Sequence, residues 1–107
     1  MKRPTKVTLD QHTCRIQWSP KEIGRLSQGY RVSGDHEPGL IRIGPGLSRR
    51  YEKVTLLHEL LHEVFNRARV KLPMKQEEYV LNNIDEWVYL MLRDNPALVA
   101  YLTEEAS

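Results

Sequence analysis

The run His58-Glu59-Leu60-Leu61-His62 carries the densest chemistry in this chain. Two histidines four positions apart on an α-helix sit about 40° apart around its axis and roughly 6 Å apart along it. Their imidazoles therefore reach one tetrahedral zinc ion from the same face. The glutamate follows the first histidine directly, which brings its carboxylate toward a water held on the metal. That is the donor pattern of metal-assisted hydrolysis with a carboxylate as general base. Val54, Leu57, Leu60, Leu61, Val64 and Phe65 recur at helical spacing and set the motif in an apolar helix. The plainer reading is a pair of core histidines, each of which then needs a polar partner of its own.

A hydrolytic zinc site takes three protein ligands and keeps a fourth position for water. No histidine lies between Val64 and Leu72, so a third histidine shortly after the motif is excluded. His12 and His36 fall upstream in extended or turn-like segments and read as surface residues. The acidic pair Glu77 and Glu78 opens the next helical stretch, where the helix dipole also favours carboxylates. Glu78 has Asn82 four residues later on the same face, an amide placed to orient a ligand. Glu77 shares its face with Leu81, Ile84 and Val88, and a buried carboxylate there is costly without a cation. Glu78 is the preferred third ligand and Glu77 the alternative, with one zinc per chain.

The elements that must position these residues follow from pattern. Lys6 to Trp18 alternates loosely and predicts extended structure. Ser19 as cap and Pro20 at a first helical position predict a short helical turn to Leu26. Tyr30-Arg31-Val32 is a second extended run, Ser33 to Gly39 is dense in turn residues, and Leu40-Ile41-Arg42-Ile43 is a strand stopped by Gly44-Pro45-Gly46. Together they predict a small N-terminal antiparallel sheet with a hairpin around Asp35 to Gly39. A long helix follows from Ser48 or Tyr51 to Arg67 or Ala68, and Lys71-Leu72-Pro73 breaks it. A second runs from near Met74 to about Arg93, with Val80 or Leu81, Ile84, Val88 and Met91 or Leu92 as its apolar face. Pro96 starts a short last helix carrying Leu98, Val99 and Leu102. Sheet first and helices after make the class α+β. The short link makes the long helices antiparallel neighbours and carries the start of the second to the motif.

Composition narrows the partners. At 107 residues the chain is long enough for one domain, spanning 1–107. A net charge of +2 demands neither nucleic acid nor an anionic membrane. The basic clusters Lys2-Arg3-Lys6 and Arg49-Arg50-Lys53 read as solvated surface, and no nucleic-acid partner is expected. Cys14 is the single cysteine, which excludes an internal disulfide and a thiolate-rich zinc site. No apolar segment follows the basic start and none is long enough to span a bilayer, so the expected location is cytoplasmic.

The run from Thr55 to His62, followed by Glu78 and Asn82, resembles the small gluzincins of the ImmA/IrrE-like kind, in the minimal form found in phages and prophages. The resemblance covers roughly residues 29–102. It implies a zinc metallopeptidase in which His58, His62 and Glu78 hold the metal and Glu59 is the general base. It also implies that the strand Gly39-Leu40-Ile41-Arg42-Ile43 is an edge strand aligning a peptide substrate. The ending Leu92-Arg93-Asp94-Asn95-Pro96 is similar to the phage-associated subgroup. The chain departs from the pattern at Glu63, where no small residue follows the second histidine, and it is shorter than full-length peptidases. Tyr51, Tyr30 and Arg50 are the candidates for a second oxyanion donor. Two competing readings are a non-catalytic zinc-binding regulatory or interaction module, which has no use for Glu59, and half of a di-iron site built on Glu59 and His62, which leaves His58 unexplained.

Overall fold

Lys6 to Trp18 resolves into two strands. In a computed structural model that describes residues 2–18, 26–27, 30–31, 34–37 and 39–105, β1 (Lys6–Leu9) pairs antiparallel with β2 (His12–Trp18), Leu9 opposite His12. Asp10 and Gln11 alone make the turn. Asp10 takes a φ of 54°, a left-handed conformation that short polar side chains tolerate. β3 (Leu26–Ser27) and β4 (Tyr30–Arg31) form a separate two-stranded pair. The helical turn expected from Pro20 falls outside the described residues, except that Leu26 opens β3. A hairpin forms ahead of the long helices, but its arms are β5 (Gly34–Glu37) and β6 (Leu40–Ile43), with Glu37 opposite Leu40 and Gly39 at a φ of 80° in its turn. Most of the stretch expected as turn is therefore strand, and Tyr30-Arg31 pairs with Leu26-Ser27 instead.

The two hairpins join through β2 and β6, which run parallel with Ile16 opposite Ile41 and Trp18 opposite Ile43. The larger sheet has the order β1-β2-β6-β5. The class is α+β as expected, but the sheet is mixed, not antiparallel throughout. Turn residues specify pairing within a hairpin; they carry no information about how one hairpin meets another. A long excursion between β2 and β5 lets the second hairpin arrive with β6 in the direction of β2. The same topology corrects the expectation for Leu40 to Ile43. β6 lies inside the sheet, flanked by β2 and β5, and among the described residues the outer strand on that side is β5.

Inward residues of β2 and β6 build the core: Cys14 and Ile16 against Ile41 and Ile43, covered by Leu47, Leu56 and Leu60. Full burial of an isoleucine contributes about 1.5–3 kcal/mol, so these side chains fix how α1 (Arg49–Arg67) lies on the sheet. The helix starts where Ser48 Oγ accepts the Tyr51 N–H at 3.1 Å. Leu56 and Leu60 face the sheet, and the 3.6-residue period then turns His58 and His62 toward α2 (Met74–Asp94). The helices are antiparallel: Arg50 near the start of α1 pairs with Glu86, while His62 near its end meets Glu77. Leu81 of α2 is fully buried. α3 (Pro96–Thr103) packs against α2 and buries none of its residues. No helix among the described residues is long and apolar enough to cross a membrane.

Two carboxylates on the sheet side of α1 are buried with partners. Glu52 accepts from Arg3 Nη2 at 2.6 Å, and that guanidinium lies 5.2 Å from the Trp18 ring centroid, tying the N-terminal arm to the first turn of α1. Glu63 accepts from Arg67 Nε at 3.2 Å and lies beside the Cys14 thiol. Burial first and the Glu63 carboxylate next push that thiol above its ordinary value, so it remains protonated in the core. Glu63 thus has a structural place, which accounts for the larger residue at that position.

α1 ends without a glycine. Val70 N–H bonds the Phe65 carbonyl at 3.0 Å and Arg69 N–H the Asn66 carbonyl at 3.2 Å, the paired bonds of a Schellman cap. The left-handed residue between them is Arg69, with a φ of 57°. Arg69→Gly is therefore expected to stabilise the protein by about 0.5–1 kcal/mol, less what glycine gains in the unfolded chain. Urea unfolding of the two proteins checks this, and a destabilised variant contradicts the cap assignment.

Candidate metal centre

His58 and His62 stand one turn apart on the α2-facing side of α1, their ring centroids 4.8 Å apart and their planes at 77°. Both Nε2 atoms face the same carboxylate. Glu78 Oε1 lies 2.6 Å from His58 Nε2, and Glu78 Oε2 lies 3.0 Å from His62 Nε2. The ligating atoms of His58, His62 and Glu78 all fall within 4.8 Å of one another, a group positioned to hold a metal ion. The two imidazoles are buried, whereas the Glu78 side chain is 45% exposed, so the cluster opens to solvent on the glutamate side.

The other ring nitrogens are held as well. His58 Nδ1 lies 3.0 Å from Asp85 Oδ2, and His62 Nδ1 lies 2.5 Å from Glu77 Oε2. A carboxylate at Nδ1 accepts the hydrogen bond of an Nδ1–H, which fixes the tautomer and leaves the Nε2 lone pair for a ligand bond. Each imidazole thus meets carboxylate oxygen at both nitrogens, and a neutral ring has only one N–H to give. The second contact in each case needs a further proton, on the ring or on the carboxyl, or else one cation shared by both Nε2 atoms and Glu78. Two imidazole nitrogens with one carboxylate match the donor set of an open, hydrolytic metal site.

The helix period of α2 makes this arrangement. Glu78, Leu81 and Asp85 are spaced three and four apart and lie on one face, so the turn that buries Leu81 also delivers an acid on either side of it. Glu77 enters from the adjacent flank, in the first turn, where the helix N-terminus also favours it. The two glutamates that sequence left as alternatives both belong to the site, in different roles: Glu78 between the Nε2 atoms and Glu77 behind His62. The expected orienting residue Asn82 is exposed, and Asp85 takes that role on His58. The signal for Asp85 was its place seven residues after Glu78, two turns along the same face.

Glu59 is buried on the flank of α1 about 60° around the helix from His62, toward the sheet. The sheet comes close there only because residue 34 is glycine. A Cβ at Gly34 would sit 2.8 Å from Thr55 Cγ2, 2.9 Å from the Arg42 carbonyl oxygen and 3.7 Å from Glu59 Cγ. The first residue of β5 therefore lies against the turn of α1 that carries Glu59. Beside the cluster, a groove of about 350 Å³ is lined by Arg50, Tyr51, Val54, Asn82, Asp85 and Glu86, among others. Of the expected oxyanion donors, Tyr51 is exposed in this groove, Arg50 is engaged by Glu86, and the Tyr30 side chain is outside the described residues. His12 is exposed on β2 and lines a separate groove at the far end of α1 with Val64 and Arg67, so it has no part in the cluster. The His36 side chain is outside the described residues.

Comparison of the chain with protein-family models, with curated proteins and with solved structures gives no match.

Metal-competition titration separates the roles. Glu78→Ala is expected to abolish stoichiometric binding. Glu77→Gln and Asp85→Asn are each expected to keep one metal per chain and weaken it about 10–100-fold, and Asn82→Ala to change little. Retention of the metal in Glu78→Ala with its loss in Glu77→Gln would exchange the two glutamates.

Proposed function

We propose that this protein is a zinc-dependent metallopeptidase of the small gluzincin type, acting on a peptide or protein. The observation that carries the reading is the convergence of two Nε2 atoms and the Glu78 carboxylate, with a buried glutamate next to the first histidine in sequence. Zinc is the natural occupant of two imidazoles and one carboxylate with an open position, and there it supplies Lewis acidity and brings a water's pKa toward neutrality.

The protein's own groups do the rest. Asp85 and Glu77 hold the two rings in the ligating tautomer and orientation. Glu59 takes the proton of the attacking water and passes it to the leaving amine. Its burial beside Thr55 and Gly34 keeps the carboxylate from swinging into solvent. Tyr51 is the best placed second donor to the oxyanion, since it lines the groove that Asp85 also lines. Because β6 is internal, an extended substrate is assigned to the outer strand β5, where main-chain pairing supplies affinity.

The decisive experiment is Glu59→Gln with two readouts, zinc content and cleavage of a mixed peptide library followed by mass spectrometry. The variant is expected to retain one zinc per chain and to lose about 10²–10⁴-fold in cleavage rate. Unchanged cleavage contradicts the role of Glu59. A zinc-loaded wild type that cleaves nothing in the library assigns the site to the non-catalytic module instead.

A further inference from the structure

α2 carries a second apolar seam that the metal site does not use. Val80, Ile84, Trp87 and Met91 are spaced four, three and four apart, the repeat by which one helix packs along another. This seam lies about 90° around α2 from the Leu81 face that meets α1. Val80 and Ile84 are half-buried, but Trp87 is 73% exposed and Met91 is half exposed. α2 also outruns its neighbour. Arg50, in the first turn of α1, already pairs with Glu86, so the turns carrying Trp87 and Met91 project past that end of α1.

α3 lies at the same end. Its eight residues carry no charge and bury nothing, and Leu98, Tyr101 and Leu102 are exposed on it. A helix of that length does not hold in water by itself. Trp87, Met91, Leu92, Leu98, Tyr101 and Leu102 are half of the large apolar side chains exposed among the described residues. Together they offer roughly 700 Å², close to one partner's share of a standard protein interface.

We propose that this end of the molecule is the contact between two copies of the chain, α2 packed on the α2 of a second copy through the Val80-Ile84-Trp87-Met91 seam, with the α3 helices closing over it. Charge disfavours an anionic surface. Residues 86–105 hold one arginine against four acids (Glu86, Asp94, Glu104 and Glu105), a net −3 that repels anionic lipid and nucleic acid. Gln76 and Asn83 flank the seam without charge, and the two acids nearest it, Glu77 and Asp94, are engaged by His62 and Arg93, which lowers the like-charge cost of bringing two seams together. A two-fold contact of this kind buries the same patch on both copies. Glu78 lies about 150° around α2 from the seam, so the dimer leaves the open side of the metal centre accessible.

Sedimentation velocity of the full chain up to about 100 μM tests this. The wild type is expected to dimerise, and Trp87→Glu/Met91→Glu to be monomeric while still binding one zinc per chain. Tyr79→Glu, equally exposed on another flank of α2, is expected to remain dimeric. Trp87→Ala is the milder variant, because alanine preserves the helix, and it is expected to raise the dimer dissociation constant at least tenfold. A wild type that is monomeric throughout overturns the proposal. So does a dissociation constant unchanged in Trp87→Ala. Binding of a monomeric wild type to neutral phosphatidylcholine vesicles gives the surface to lipid and overturns it as well.

Discussion

The rest of the structure depends on how α2 lies against α1, and that contact is polar at its centre. Two imidazoles on α1 meet three carboxylates on α2, with both nitrogens of each ring engaged. Groups of this kind are costly to bury unless every one is satisfied, and no buried side-chain nitrogen or oxygen among the described residues lacks a partner. The register of the two helices is therefore fixed by chemistry more narrowly than apolar packing alone would fix it. Sliding α2 by one turn would move Glu78 from between the Nε2 atoms and Asp85 from His58. Leu81, fully buried between these acids, supplies the apolar anchor in the same register.

The remaining elements hold α1 in place so that this contact can form. Leu56 and Leu60 lock the back of the helix onto the isoleucines of β2 and β6. Arg3 binds Glu52 at one end of the helix, and Arg67 binds Glu63 nearer the other. Gly34 lets β5 approach the turn carrying Thr55 and Glu59. One helix thus presents apolar residues to the sheet, imidazoles to α2, and a buried carboxylate to the boundary between them. This three-way division explains why α1 buries so many polar residues for its length.

What sequence made legible was periodic or local. The two long helices, the last short one and the strand Leu40 to Ile43 follow from apolar spacing, caps and turn residues, each read within a few neighbours, whereas its partner strand Gly34 to Glu37 is hidden among turn residues. His58, His62 and Glu78, the three residues the structure brings together, were legible because the motif and the next acidic helix turn are also local signals. Three other features were not. The Asp10 turn that splits the first strand has no glycine to announce it. The parallel joining of β2 and β6 is a long-range event that no turn encodes. The roles of Glu77, Asn82 and Asp85 depend on the rotation of α2 about its axis, to within a few tens of degrees. A helical wheel shows which residues share a face, but only the packed pair shows which acid reaches which nitrogen.

The central claim is that His58, His62 and Glu78 together bind one metal ion. X-ray absorption at the zinc edge of the zinc-loaded protein tests it most directly. Four nitrogen or oxygen neighbours at about 2.0 Å are expected, with the outer-shell scattering of two imidazole rings and no sulfur. A sulfur shell near 2.3 Å would place the metal at Cys14, and a first shell without imidazole scattering would remove both histidines from the site; either result contradicts the account.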